Sequence, residues 1–333
     1  MLQLFRLIRL PNLIIIALTL YGVRYGLLQP VWKSGYNLML GQGYVVSGDL
    51  NLHMSGFHFL LLVISTIFIA AAGYIINDYF DVKTDRVNRP DRVVVGRTIS
   101  RRIAMTLHLT LSSIGLLIAL YIAWKAGNWK LCGIQLFSIV ALWFYSTLLK
   151  KQLLSGNIVI AFLAALVPLT AGLYEFASGA LLTLNELDFY VAGAGSLLLK
   201  KGALLVTGYA VFAFLSNLIR EITKDIEDMD GDRADGCKTL PIVVGETQAR
   251  FIVLSLIIFT VITLGLIQKY MIDYDYTILF LYVLIAVQLP LLVLFFMMWR
   301  ANAKEHYTRA SILCKLLIVT GVCSMLVFGL TLR

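Results

Sequence analysis

The chain has 333 residues, 59% of them hydrophobic and only 14% charged, with a mean hydropathy of +0.85. A soluble domain is about 45–50% apolar and about 25% charged, so a water-soluble core cannot absorb this excess, and the long unbroken apolar runs call for a bilayer. The net charge of +9 does not indicate a nucleic-acid partner, because the Lys and Arg residues gather at the ends of the apolar runs, as topology signals do.

In chain order, Met1 to Leu28 has the outline of a signal peptide, with Arg6 and Arg9 ahead of an apolar stretch. No small-residue cleavage site follows and Arg24 interrupts its far end, so it reads as a retained first helix. The apolar runs lie at 11–28, 57–76, 103–124, 131–148, 156–176, 203–219, 251–268, 277–299 and 311–332. Each is close to the length a bilayer needs, and no alternating strand pattern occurs, so the expectation is an all-α polytopic membrane protein with nine spanning helices in one domain, 1–333. The segments 29–56 and 177–202 are expected to be loops capping the bilayer. Lys and Arg concentrate in alternate connections, which puts the N-terminus and the segments 77–102 and 220–250 in the cytosol, in the cell's inner membrane. Cys132, Cys237, Cys314 and Cys323 show neither metal-ligand spacing nor a paired framework, and Cys237 in its polar loop reads as a packed thiol rather than a reactive one.

The acids are not scattered. Twelve of the 19 Asp and Glu residues fall within 78–91 and 221–246, two stretches on the same side of the membrane. Asp78, Asp81 and Asp85 stand at i, i+3 and i+7, and Asp225, Asp228 and Asp232 repeat that spacing, with Glu221 one turn earlier. On a helix each trio forms one carboxylate stripe. Like charges at these offsets repel, and the C-terminal end of a helix disfavours anions. The same two local rules are broken twice, as expected at functional sites. A divalent cation resolves both conflicts: carboxylates are hard ligands suited to Mg²⁺, which commonly bridges to phosphate. Interleaved Lys83, Arg86, Arg89, Arg92, Arg97, Arg220, Lys224 and Arg233 would neutralise phosphate charge.

These residues carry a resemblance. NDYFDVKTDRVNRP is similar to the first aspartate signature of the UbiA superfamily of intramembrane prenyltransferases, KDIEDMDGDRADGCKTLPI resembles its second, and RLIRLPNL at 6–13 resembles its first-helix entry. The resemblance covers essentially the whole chain. Its second motif, REITKDIEDMDGDR followed by TLPI, is closest to the branch that prenylates geranylgeranylglyceryl phosphate in ether-lipid synthesis, and branches acting on aromatic quinone precursors or porphyrins share much of that wording. Where family members often read PSGRIS, this chain has DRVVVGRTIS.

The resemblance implies nine helices around a central cavity with cytosolic caps, an allylic prenyl diphosphate as donor, a lipophilic acceptor, and Mg²⁺ as cofactor. It assigns Asn77, Asp78, Asp81, Asp85, Asp225, Asp228 and Asp232 as metal ligands, Asn77 either as an extra oxygen ligand or as the residue that orients Asp81, with Asp78, Asp81, Asp225 and Asp228 central to catalysis. Lys224, Arg92 and Arg89 are expected at the diphosphate, Tyr79 (with Tyr74) at the allylic cation, and Asn12 and Asn217 on the cavity wall. A CDP-alcohol phosphotransferase would need one contiguous DG-x-x-AR…G-x-x-x-D-x-x-x-D stretch, which is not present. An ion-coupled transporter would carry its acids in mid-span, whereas these stand at span ends.

Overall fold

Inside a bilayer no water is available to a backbone N–H or C=O, so each apolar run closes its own i→i−4 ladder. The computed structural model describes residues 2–41, 52–88, 93–180 and 189–332. Among these, nine helices are long and apolar enough to cross a membrane: Leu10–Gly35, Gly56–Phe80, Arg101–Lys125, Trp129–Thr147, Ser155–Ser178, Leu198–Glu227, Glu246–Asp273, Thr277–Arg300 and Lys304–Thr331. They are called the first to ninth spans below. All nine expected spans are present, and no strand occurs among the described residues beyond an isolated Val95–Ile99 bridge.

The span ends correct the sequence reading. The first helix continues through a π-helical segment, Gly22–Leu28, and on to Gly41, while the sixth begins at Phe189, so parts of the expected loops 29–56 and 177–202 are helical. The reason in the first case is Arg24. It does not end the apolar run, because it is 4% exposed and paired at 3.3 Å with Glu175 of the fifth span, itself 1% exposed. Arg24 also donates to the Met54 carbonyl, and the Met54 N–H donates to the other Glu175 oxygen at 3.1 Å. This network pins the segment before the second span to the first and fifth.

The second span packs on the third and fourth, the fifth on the sixth, and the sixth on the ninth. The first and ninth spans cross closely: a Cβ at Gly26 would lie 2.6 Å from the Met325 carbonyl oxygen, and one at Gly329 would lie 2.9 Å from that of Gly26. Small residues are what allow helices to approach this closely in a membrane. A cavity of about 290 Å³ opens within the bundle, walled by the first, second, fourth, fifth, sixth and ninth spans. The third, seventh and eighth spans stand outside it and turn large apolar side chains outward, such as Leu117, Trp124, Ile262 and Ile278. At the acidic end, residues 93–100 form a tight turn, with Gly96 at φ 81°, that buries Val94 and Val95 against Leu7, Ile75 and Ala104.

Candidate active site

The spacing predicts three carboxylates on one continuous helix in each row, and the structure divides both rows instead. The second span ends at Phe80, Asp81 sits at φ −86° and ψ 1°, and a short helix, Val82–Asn88, carries Asp85. In the second row the sixth span ends at Glu227, Asp228 sits at φ −96° and ψ 8°, and Met229–Ala234 carries Asp232. Each row therefore breaks at its middle aspartate, while the bonds from Asp81 and Asp228 N–H back to the residue four earlier persist. This corrects the dipole argument as well: Asp85 and Asp232 lie in the first turn of a helix, where an anion is favoured, Asp78 and Asp225 lie in the last turn of one, and Asp81 and Asp228 stand at the junctions.

The two rows meet. The short helices Val82–Asn88 and Met229–Ala234 pack against each other. Tyr145 of the fourth span is within electrostatic reach of Asp81, Glu221 and Asp225 together, so one side chain senses both rows. All six aspartates are half-buried. Asp85 is pushed up to about 6 by burial and then by the charges of Asp81 and Asp78. Asp232 is likewise pushed up to about 6, by burial first and then by Asp228, with Asp81 of the other row contributing.

Cations and amides from elsewhere in the chain hold the rows. Arg9, in a left-handed conformation at φ 51°, donates to Asp78 at 2.8 Å, and its guanidinium lies over the Tyr74 ring at 5.0 Å. Asn77 Nδ2 donates to Asp81 Oδ2 at 2.7 Å, and Lys150 Nζ donates to Asp81 Oδ1. Asn157 donates to Asp225 at 2.7 Å. Lys151 reaches Asp235 at 2.7 Å and holds its carboxyl below the usual carboxylate range through that hydrogen bond. The short connection between the fourth and fifth spans thus ties one lysine to each acidic stretch. Arg9, Lys150 and Asn157 were not among the sequence candidates.

Of the expected contacts, Asn12, Asn77, Asp81, Asn217 and Lys224 line the cavity, with Tyr74, Arg220 and Glu221. Asn12 donates to the Tyr74 hydroxyl at 3.3 Å. Tyr79 does not line it: its ring lies beneath the Arg101 guanidinium at 4.4 Å and against Phe80, and the tyrosines that line the cavity at this end are Tyr74 and Tyr145. Arg89 and Arg92 lie outside the described residues. Cys237 is buried, and burial, with Asp232 nearby, pushes its thiol up to about 11, so it packs rather than reacts.

Among the described residues no three His, Cys, Asp or Glu side chains enclose a single point on their own. A magnesium ion does not need them to, because it keeps waters and is commonly held by one or two carboxylates plus phosphate oxygens. The donors present are hard oxygens. Asn77 Oδ1 is buried without a partner beside Asp78 and Asp81, and the burial and neighbouring carboxylate charge that raise Asp85 and Asp232 are what a cation offsets. The residues fit such an ion.

The chain matches the UbiA prenyltransferase family over residues 39–319, and it belongs to that family of membrane enzymes. It is 32% identical over 260 residues to the digeranylgeranylglyceryl phosphate synthase of Thermococcus gammatolerans, covering 78% of this chain and 82% of that one. It is 35% identical over 199 residues to the enzyme of the same name from Methanobrevibacter smithii, where the match spans 62% of that relative, under two thirds of its length. A solved structure of digeranylgeranylglyceryl phosphate synthase superposes with a TM-score of 0.57 at 22% identity, covering 97% of this chain and 98% of that one. A UbiA homologue from Archaeoglobus fulgidus bound to GPP and Mg²⁺ superposes with a TM-score of 0.55 at 17% identity, covering 97% and 99%. These two likenesses establish the fold.

Proposed function

We propose that the protein, acting as a single prenyltransferase domain, transfers a geranylgeranyl group from its allylic diphosphate to geranylgeranylglyceryl phosphate, with Mg²⁺ as cofactor. The observation that carries this reading is the meeting of two aspartate rows at the end of one membrane-embedded cavity. The names of the synthase relatives support the choice of acceptor. The distribution of Lys and Arg supports a cytosolic N-terminus and a cytosolic site.

Asp78, Asp81 and Asp85, with Asn77, would hold Mg²⁺ from one side, and Asp225, Asp228 and Asp232 from the other. When bound, the ion neutralises charge developing on the departing diphosphate. Lys224 and Arg9 face the same space and supply fixed positive charge there. Tyr74, on the ring face that Arg9 does not cover and with its hydroxyl held by Asn12, and Tyr145 would stabilise a cationic allyl group. The apolar wall, including Ile15, Ile69, Leu163 and Val167, excludes water from that cation and accommodates the prenyl chain.

The test incubates purified protein and Mg²⁺ with labelled geranylgeranyl diphosphate and, separately, geranylgeranylglyceryl phosphate, a hydroxybenzoate or naphthoate, and a porphyrin. Transfer to the first is expected, with loss of turnover in Asp81→Ala and Asp228→Ala at unchanged folding. Full activity in either variant, or indifference to EDTA, contradicts the mechanism, while transfer to an aromatic acceptor alone reassigns the branch.

A further inference from the structure

The cations that face the cavity do not all stand beside the aspartate rows. The sixth and ninth spans pack antiparallel, tied by Tyr209–Ser324 at 2.9 Å and by Thr308 donating to Glu227 at 3.1 Å. Between these ties Lys315 falls opposite the turn that carries Arg220, and both line the cavity. Lys315 lies seven positions beyond Thr308, which sets it roughly 10 Å deeper than Glu227 along the helix axis. Lys315 is exposed as well as lining the cavity. A cation at that depth in a spanning helix is costly and marks a ligand or ion path.

Neighbouring groups point to the same use. Arg220 donates Nη1 to Glu221 at 2.6 Å, while its Nε is buried without a partner. One turn deeper the Ser216 hydroxyl, also on the cavity wall, is buried without a partner. Buried donors of this kind are left unmade only at a cost, and an incoming anion satisfies them. Past Lys315 the wall turns apolar, with Ile318 and Val322.

We infer that Arg220, Lys315 and Ser216 form a pocket for the phosphate of the acceptor lipid, distinct from the donor diphosphate site at the aspartate rows. This rests on the proposed function, which supplies an acceptor bearing a phosphate monoester. Arg contributes a planar fork and Lys a point charge, the pairing that suits phosphate oxygens, and the apolar wall beyond takes the isoprenoid chains. The pocket makes the enzyme selective for an acceptor that is both lipid and anionic.

The experiment measures initial rates of the full-length protein with Mg²⁺, varying geranylgeranylglyceryl phosphate and geranylgeranyl diphosphate in turn. Lys315→Met is expected to raise the acceptor KM by about tenfold or more while the donor KM moves by less than about twofold, and Lys315→Arg to restore most of the acceptor KM. Glycerol 1-phosphate is expected to compete with the acceptor and not with the donor in the wild type, a result that decides the matter even if Lys315→Met does not fold. Normal wild-type transfer with an unchanged acceptor KM in Lys315→Met overturns this inference alone, as does a parallel rise in both KM values. No wild-type transfer to the phosphate acceptor overturns the proposed function with it. If instead the wild type prenylates a hydroxybenzoate and Lys315→Met raises the KM for that carboxylate, the assignment to phosphate is overturned.

Discussion

Asp81 is held on both oxygens, by Asn77 on one and Lys150 on the other. An ion held at Asp81 would compete with the Lys150 ammonium for that carboxylate, and Lys150, only 11% exposed, would then be a fixed positive charge for the diphosphate that the ion binds. A charge-assisted hydrogen bond of this kind contributes about 1.5–3 kcal/mol. Lys150→Gln is therefore expected to raise the donor KM by about 10- to 100-fold with the acceptor KM little changed, measured by the same initial rates, and an unchanged donor KM would leave Lys150 a purely structural tie. The six aspartates were legible because their spacing violates helix rules within a few residues of chain. Arg9, Lys150 and Asn157 were not, because their partners lie 69, 69 and 68 residues away, and nothing local marks a Lys in a short basic connection as belonging to an aspartate in another span. Tyr79 was chosen by nearness to the row, and the sequence does not reveal that Arg101 claims its ring.

The helix crossings and buried pairs yield sharper tests of the fold. At Gly26 a side chain would meet Met325 backbone, which cannot step aside, whereas at Gly22 it would meet the flexible Met325 Sδ at 2.8 Å. Gly26→Val is expected to cost about 1–3 kcal/mol or more, seen as a lowered Tm in detergent, with Gly22→Ala milder. Gly133 has open space around its Cβ position inside a helix, so Gly133→Ala should be neutral or stabilising by up to about 1 kcal/mol, and equal losses at all three positions would deny the close crossing. The Arg24–Glu175 pair makes a second case. Glu175→Leu strands a buried guanidinium and is expected to cost about 3–5 kcal/mol, while adding Arg24→Met recovers much of it, as read from the same melts. From sequence alone Arg24 is an interruption near the far end of the apolar run 11–28. Only the fold supplies its partner 151 residues away, and with it the longer first helix.

Nine spans were readable because a bilayer demands about 20 apolar residues wherever it is crossed. Which six of them wall the cavity was not readable, since Leu and Ile facing lipid look the same as Leu and Ile facing another helix. The two aspartate rows meet through the pair of short helices that carry Asp85 and Asp232, both pushed up to about 6. An unfolded aspartate titrates near 3.9. Without a cation the folded state therefore binds more protons than the unfolded state between these values, and stability falls as pH rises from about 4 through about 6, where Asp85 and Asp232 ionise. Mg²⁺ reverses the sign, because it binds only the ionised form and its affinity rises over the same window before levelling off. Millimolar Mg²⁺ is expected to raise Tm at about pH 8 and to lose most of that effect at about pH 5, with proton release on binding near pH 6 detectable by calorimetry in buffers of different ionisation enthalpy. An Asp85→Asn/Asp232→Asn double variant should show neither the Mg²⁺-induced rise nor the pH-dependent loss of metal-free stability. A Tm gain of equal size at both pH values, or one retained in the double variant, would place the ion somewhere other than between these two helices.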